Sequence, residues 1–204
     1  MRTHKTSLTA VAALVAVSAT GARAAVIAFI DQDISIPTTY EGVSLNLETG
    51  VSTNALAGAL GADMNLVFGG AGISNDADET ASSPTWQPVR AGTGNTDILL
   101  NLGIGTEVGP ASVTSIGFGG TMDNFTTFTS GERGYLGFAL VLEDTTVAYG
   151  WAEVTLQGDN TPGVIHSWAF EDTGAALAVA AIPEPTQTLL IALGLLAWTL
   201  RRRR

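Results

Sequence analysis

Two consecutive segments in the second half of the chain alternate between the two faces that a β-strand presents. In residues 134–142, large apolar residues occupy every second position from Leu136 to Leu142, and a similar alternation runs from residue 146 to residue 156. A period of two is typical of strands, because successive side chains point to opposite sides of the sheet. The polar residues 143–145 have the length of a hairpin connection. We therefore predict two adjacent antiparallel strands.

Shorter segments of the same kind occur along most of the chain, separated by Gly, Asn, Asp and Pro. They are residues 25–30, 43–47, 64–68, 97–102, 112–118, 164–170 and 176–181. Many short strands without long helices between them predict an all-β fold, namely an antiparallel two-sheet β-sandwich of the jelly-roll kind.

The first 24 residues have a different pattern. A positive start with Arg2 and Lys5 precedes an apolar stretch, and Ala22 and Ala24 supply the small-x-small pattern of a secretory signal peptide. We interpret residues 1–24 as a signal peptide cleaved after Ala24, with an uncleaved anchor as the alternative. Residues 25–182 are then one exported domain, which is long enough to bury a core.

The last 22 residues form a third pattern. An apolar run over residues 188–200 carries no charge and predicts a membrane helix. Its length of about 20 Å is short of the ~20 residues that usually span a bilayer. The run is preceded by Pro183, Glu184 and Pro185 and followed by a membrane-stop cluster of Arg201, Arg202, Arg203 and Arg204.

This order of Pro-Glu-Pro, apolar helix and arginine cluster resembles the PEP-CTERM sorting signal of bacterial envelope proteins. The resemblance implies that the tail holds the protein in the inner membrane until an exosortase processes it. It also implies delivery to the cell surface or the exopolysaccharide matrix, with Pro183, Glu184 and Pro185 as the recognition residues. An ordinary short membrane anchor is the alternative interpretation of the tail.

Residues 134–138 and 149–154 resemble a hairpin found in many exported domains that carry this signal, and that resemblance implies a sandwich. Within it, Gly150 would let an aromatic side chain or a second backbone approach closely. Trp151 would then fill the space between the two sheets.

The charges are divided unevenly along the chain, whose net charge is −10. Of the 19 acidic residues, all except Glu184 lie in residues 25–182, which contain only two basic residues, Arg90 and Arg133. This composition argues against nucleic-acid binding, which requires a basic surface. It favours solubility and the attraction of cations such as calcium. The absence of cysteine excludes disulfides and thiolate metal sites.

Candidate chemical groups in residues 25–182 are few. His166 is the one histidine there, so a multi-histidine metal site is excluded and a Ser-His-Asp hydrolase is not expected. We interpret His166 as a surface or hydrogen-bonded strand residue. Asp76, Asp78 and Glu79 are candidate calcium ligands in a short loop, although a solvated acidic loop is the simpler interpretation.

Three functional hypotheses remain open. The leading one is a non-enzymatic envelope or matrix protein that requires no cofactor. The second is a carbohydrate-binding module, in which Trp86, Trp151 or Trp168 would stack on sugar rings and calcium would order the loops. The third is a glycosidase, which needs only two suitably placed carboxylates.

Overall fold

The structure is a computed structural model that describes residues 25–55, 62–74, 86–94, 97–115, 119–158 and 160–182. Within these ranges the chain forms β-strands and two short 3-10 helices, Phe68–Gly70 and Asp123–Phe125, and contains no α-helix. The strands are β1 (Val26–Phe29), β2 (Ile34–Ile36), β3 (Val43–Leu45), β4 (Ser52–Thr53), β5 (Met64–Val67), β6 (Gly72–Ser74), β7 (Trp86–Pro88), β8 (Glu107–Val108), β9 (Gly119–Gly120), β10 (Arg133–Val141), β11 (Val147–Thr155), β12 (Gly163–Glu171) and β13 (Leu177–Ala178). The prediction of an all-β chain is confirmed for the described residues.

The larger sheet has six strands in the order β1-β12-β11-β10-β7, with β2 also paired to β12, and its strand pairs are antiparallel. Its centre is the predicted hairpin. Strands β10 and β11 pair from Arg133 opposite Thr155 to Val141 opposite Val147. The alternating pattern therefore identified both strands and the turn between them.

A second antiparallel sheet has five strands in the order β4-β3-β5-β6-β9. Side chains along a strand point alternately to the two faces of its sheet. The apolar side chains on the facing sides of the two sheets form one buried core. The five-stranded sheet contributes Leu45, Met64, Leu66 and Ile73, and the six-stranded sheet contributes Leu136, Phe138, Leu140, Ala152 and Phe170.

A third, small layer covers the opposite face of the six-stranded sheet. Strands β8 and β13 form a two-stranded antiparallel sheet, and Val108 and Leu177 from it join a second apolar cluster with Trp151 and Ala169. Trp151 pairs across the sheet with Gly137 and Ala169, so its ring has small neighbours on both sides. The prediction that Trp151 fills the space between the two large sheets is therefore wrong. Period-two alternation directs it to the other face from Ala152.

Two predicted strands are not continuous strands. In residues 97–102 only Leu99 and Asn101 form isolated bridges, and in the described part of residues 112–118 only Thr114 does. Leu99 bridges to Arg90 on one side and to Thr126 on the other, so neither neighbour extends into a ladder.

The predicted signal peptide, residues 1–24, and the predicted membrane helix, residues 188–200, lie outside the described residues. Both stay predictions, as do the domain boundaries drawn from them. In the part of the chain that the structure describes, no helix has the length and apolar character needed to cross a membrane.

Candidate functional site

The chain leaves the folded part beside the small two-stranded sheet. The backbone N–H of Val179 donates to the carbonyl oxygen of Thr106 at 2.8 Å, and the N–H of Gly105 donates to the carbonyl of Val179 at 3.0 Å. Val179 is buried, whereas Ile182 is 54% exposed. The chain thus passes within three residues from Val179, which is buried and hydrogen-bonded, to Ile182 at the surface, next to Pro183.

The candidate sorting residues themselves lie outside the described residues. They are Pro183, Glu184 and Pro185 and the cluster Arg201, Arg202, Arg203 and Arg204. The cleavage-site residues Ala22 and Ala24 lie outside them as well. The roles of all nine residues stay predictions.

The three tryptophans proposed to stack on sugars are all buried. Trp86 and Trp168 are completely buried in the core between the two large sheets, and Trp151 is 2% exposed beneath the small sheet. The indole Nε1–H of Trp168 also donates to the carbonyl oxygen of Leu47. A stacking platform needs an accessible ring face, so the proposal for these three residues is wrong. Their role is packing.

The structure leaves the calcium prediction untested, because Asp76, Asp78 and Glu79 lie outside the described residues. Among the residues that are described, no group of three or more His, Cys, Asp or Glu side chains is arranged to hold a metal ion.

A hydrogen-bonded chain of three polar side chains links distant parts of the sequence. Asp33 Oδ1 lies 2.7 Å from His166 Nδ1, and His166 Nε2 lies 2.9 Å from Thr155 Oγ1. This order of carboxylate, imidazole and hydroxyl is also that of an acyl-transfer triad. The side chain of Asp33 is 65% exposed, however, whereas a triad depends on a buried carboxylate to orient its imidazole. The geometry fits a structural connection better than a catalytic one.

His166 lies at an irregularity of the sheet. Glu153 pairs with Ser167 but the next residue, Val154, pairs with Ile165, so His166 is the extra residue of a β-bulge. Its carbonyl oxygen accepts a hydrogen bond from the N–H of Gln32 at 2.8 Å. The prediction of a hydrogen-bonded strand residue is confirmed, and the bulge attaches the connection between β1 and β2 to the sheet.

Both basic residues of the described part have partners. The guanidinium of Arg133 lies 3.3 Å from the carboxylate of Glu153, and Glu153 also accepts a long hydrogen bond from the hydroxyl of Tyr135. Burial and the neighbouring Glu153 raise the pKa of Tyr135. Arg90 is buried and donates to the carbonyl oxygen of Asp97 at 2.7 Å, and burial lowers its pKa. Neither guanidinium forms an open site for an anion.

A shallow groove of about 240 Å³ crosses the outer face of β10 and β11. The ring of Tyr149, the side chains of Val141 and Val147, and the polar groups of Gln87 and Thr114 line it. Thr114 Oγ1 donates to Gln87 Oε1 at 3.0 Å. The groove is smaller than most ligand pockets, which start near 300 Å³.

The family model for the PEP-CTERM protein-sorting motif matches residues 181–204. The chain is a PEP-CTERM sorting-signal protein. The match begins at Ala181, shortly after β13 ends at Ala178. The PEP-CTERM motif therefore follows the folded part of the chain directly. No curated protein and no solved structure matches the chain.

Sequence reasoning missed the exposed aromatic residues of this PEP-CTERM protein. Tyr40 is 63% exposed and Phe68 is 45% exposed, and their ring centroids lie 5.9 Å apart. Tyr40 lies outside the predicted strand segments and Phe68 is the last residue of one of them, and both are close to glycines, namely Gly42, Gly69 and Gly70. The glycines were the available signal, because turns place the neighbouring side chains at the surface.

Proposed function

We propose that this protein is an exported, non-enzymatic component of the cell envelope or of the exopolysaccharide matrix of a biofilm, sorted through its C-terminal signal. The match of the PEP-CTERM motif to residues 181–204 carries the proposal. In this view the signal peptide, residues 1–24, directs export. The helix over residues 188–200 then anchors the protein in the inner membrane, with Arg201–Arg204 on the cytoplasmic side.

The processing partner that we propose is an exosortase, which recognises Pro183, Glu184 and Pro185. The exposed Ile182 supports this assignment, because a membrane-bound enzyme needs an accessible segment next to its recognition residues. After processing, residues 25–182 are released to the cell surface or the matrix. We infer that their two large sheets form a sandwich of the jelly-roll kind.

The charge of the exported part supports an extracellular structural role. Residues 25–182 contain many acidic residues and only two arginines. This composition favours solubility and disfavours nucleic acid as a partner. Residues 25–182 contain 18 acidic residues, so some pair of carboxylates will be close by chance and gives a glycosidase little support. A glycosidase is the weakest of the three hypotheses, and no cofactor is part of the leading one.

The decisive experiment replaces Pro183, Glu184 and Pro185 together by alanine and follows the protein by cell fractionation. We expect the variant to accumulate in the inner-membrane fraction at its unprocessed length. A matched control replaces Glu107 and Pro110, which are both exposed, and should be processed normally. Unchanged release of the triple variant would contradict recognition of the Pro-Glu-Pro residues. Retention of the unaltered protein and the variant alike in the membrane fraction would mean that the tail is an ordinary membrane anchor.

A further inference from the structure

Tyr40 and Phe68 form an exposed aromatic pair. Their rings are tilted by 53° at a centroid distance of 5.9 Å. The N–H of Phe68 donates to the carbonyl oxygen of Thr39 at 3.0 Å, and this bond fixes the two turns to each other. The pair therefore presents its rings at a fixed separation rather than on two independent loops.

A third exposed ring, that of Phe125, lies on the same side of the five-stranded sheet. Gly72 and Gly120 are direct partners in the β6–β9 pair, while Ile73 next to Gly72 points into the core. The glycine positions therefore face outward. A Cβ on Gly72 would lie 4.0 Å from Phe68 Cδ2, and a Cβ on Gly120 would lie 3.2 Å from Phe125 Cδ2.

These contacts define a surface that we call the aromatic strip, made of Tyr40, Phe68 and Phe125. The two glycines between Phe68 and Phe125 carry no side chains, so the floor of the strip is low and is formed by backbone and by the Val67 side chain, whose Cγ2 would lie 2.9 Å from a Cβ on Gly72. Exposed aromatic surface on a soluble protein commonly marks a binding site. Flat, rigid aromatic rings fit the apolar faces of sugar rings, which carry C–H groups on one side and hydroxyls at the rim.

The backbone of Phe68 is unusual in a way that supports a binding role. Its φ is +53°, in the left-handed region that glycine occupies without strain and that aromatic residues rarely adopt. A glycine at this position would remove the strain. Strained residues of this kind are concentrated at functional sites, where the side chain is needed despite its backbone.

The charges around the aromatic strip select among polysaccharides. Exposed Glu41 is next to Tyr40, and exposed Asp123 is close to Phe125 in the chain. The basic groups of the described residues lie elsewhere, Arg133 on β10 beside Glu153 and Arg90 in the interior. An anionic polysaccharide would be repelled, whereas the carboxylates can accept hydrogen bonds from sugar hydroxyls.

We propose that the aromatic strip binds the sugar rings of an uncharged polysaccharide. The proposal deepens the proposed function and rests on it, since a matrix protein needs a contact with the matrix. Binding is nevertheless measured on purified protein and does not depend on delivery. The triple alanine variant of the sorting motif should bind normally even where its delivery fails, so the two proposals can fail separately.

The test is depletion of the full-length protein, purified in detergent, by three insoluble uncharged probes: cellulose, cross-linked dextran and cross-linked galactomannan. Alginate gel is the anionic probe and chitosan the cationic one. We expect binding to at least one uncharged probe and none to alginate. Tyr40→Ala and Phe68→Gly should each weaken that binding about tenfold, the effect expected from losing one stacked ring.

Controls separate binding from folding. Phe68→Gly removes both the ring and the strain, so weaker binding with equal or higher Tm assigns the loss to the ring. Phe68→Trp should retain binding. Ile104→Ala, which removes an apolar side chain that is 75% exposed outside the strip, should bind like the unaltered protein.

Three results would overturn the proposal. The first is no binding to any uncharged probe. The second is binding to an uncharged probe that Tyr40→Ala and Phe68→Gly both leave unchanged, because the contact would then lie outside the aromatic strip. The third is concentration-dependent self-association, measured by sedimentation, that Tyr40→Ala and Phe68→Gly abolish. That result would assign the aromatic strip to a second copy of the chain.

Discussion

The indole Nε1–H of Trp168 donates a hydrogen bond to the carbonyl oxygen of Leu47, 3.0 Å away and inside the core. Trp168 belongs to β12 of the six-stranded sheet, and Leu47 follows β3 of the five-stranded sheet. Both residues are completely buried, and Phe29 stacks on the indole at a centroid distance of 4.7 Å. The two large sheets are therefore joined by a specific polar contact in addition to apolar packing.

Replacing Trp168 by phenylalanine should destabilise the protein more than the same change at Trp86. Both indoles are completely buried, but Trp86 Nε1 has no hydrogen-bond partner among the described residues. Trp168→Phe leaves a buried carbonyl oxygen unpaired, which costs about 1–3 kcal/mol beyond the lost packing. Urea denaturation of the two variants measures the difference. Equal losses would show that the Leu47 contact contributes little.

Gly150 is predicted to tolerate no side chain. A Cβ at this position would lie 2.4 Å from the carbonyl oxygen of Ala169 and 2.6 Å from Cζ of Phe138. Gly150→Ala forces the sheet or the Phe138 ring to move and should cost about 1–3 kcal/mol. Gly103→Ala is the matched control, because its nearest neighbour would be Thr106 Oγ1 at 3.7 Å. Thermal unfolding distinguishes the two, and similar Tm values would contradict the prediction.

The Asp33–His166 contact should depend on geometry more than on charge. Asp33 has a φ of +46°, a region that Asn and Asp enter more readily than other residues. Asp33→Asn keeps an acceptor oxygen and should change the free energy of unfolding by less than about 0.5 kcal/mol, since the Asp33 side chain is 65% exposed and water screens its charge. Asp33→Ala removes the acceptor oxygen and also places at this positive φ a residue that enters the region less readily than Asp does. It should lower the free energy of unfolding by about 1–2 kcal/mol. A loss from Asp33→Asn as large as that from Asp33→Ala would show that the charge dominates.

Glu48 should make the stability of the protein depend on pH. Partial burial and repulsion by Glu143 and Asp144 raise its pKa, against a backbone hydrogen bond from Glu143 that lowers it. The folded state therefore favours protonated Glu48 and loses stability as pH rises through the ordinary and the raised pKa values. Glu48→Gln should raise the Tm at pH 7 by about 2 °C. This gain should vanish below the ordinary pKa of a glutamate.

The matched control for that measurement is Glu132→Gln, which removes the charge of an exposed glutamate. It should leave the Tm nearly unchanged from acidic to neutral pH. If both substitutions raised the Tm equally at pH 7, the cause would be the lower net negative charge and not the surroundings of Glu48.

The hairpin of β10 and β11 was predictable because its information is local. Alternation along residues 134–142 and 146–156 specifies two strands, and a short polar connection forces them to pair. The close approach at Gly150 followed from the same pattern and is confirmed by its contacts with Phe138 and Ala169. Residues 97–102 were less predictable, because strand-like composition does not reveal whether a neighbour is placed to form a ladder.

The candidate site could likewise be predicted only in part, because the exposure of its side chains depends on contacts between distant residues. Trp86, Trp151 and Trp168 are buried and Tyr40 and Phe68 are exposed, which excludes the sugar-stacking alternative for the tryptophans. A tryptophan in an alternating strand must face one side of its sheet, but the pattern does not say whether another layer covers that side. In the case of Trp151, the cover is β8 and β13, which stand far from it in the sequence.

The amino-acid sequence by itself determined the strand-rich character of the chain, the acidic nature of residues 25–182 and the sorting signal at its C-terminal end. These properties depend on the local order of residue types, and the chain carries them whatever its fold. Only the tertiary structure decided which side of each sheet is covered, how Asp33 reaches His166 and which aromatic rings stay at the surface. These features depend on contacts between residues that are distant in the chain, and such contacts leave no periodic pattern in the sequence.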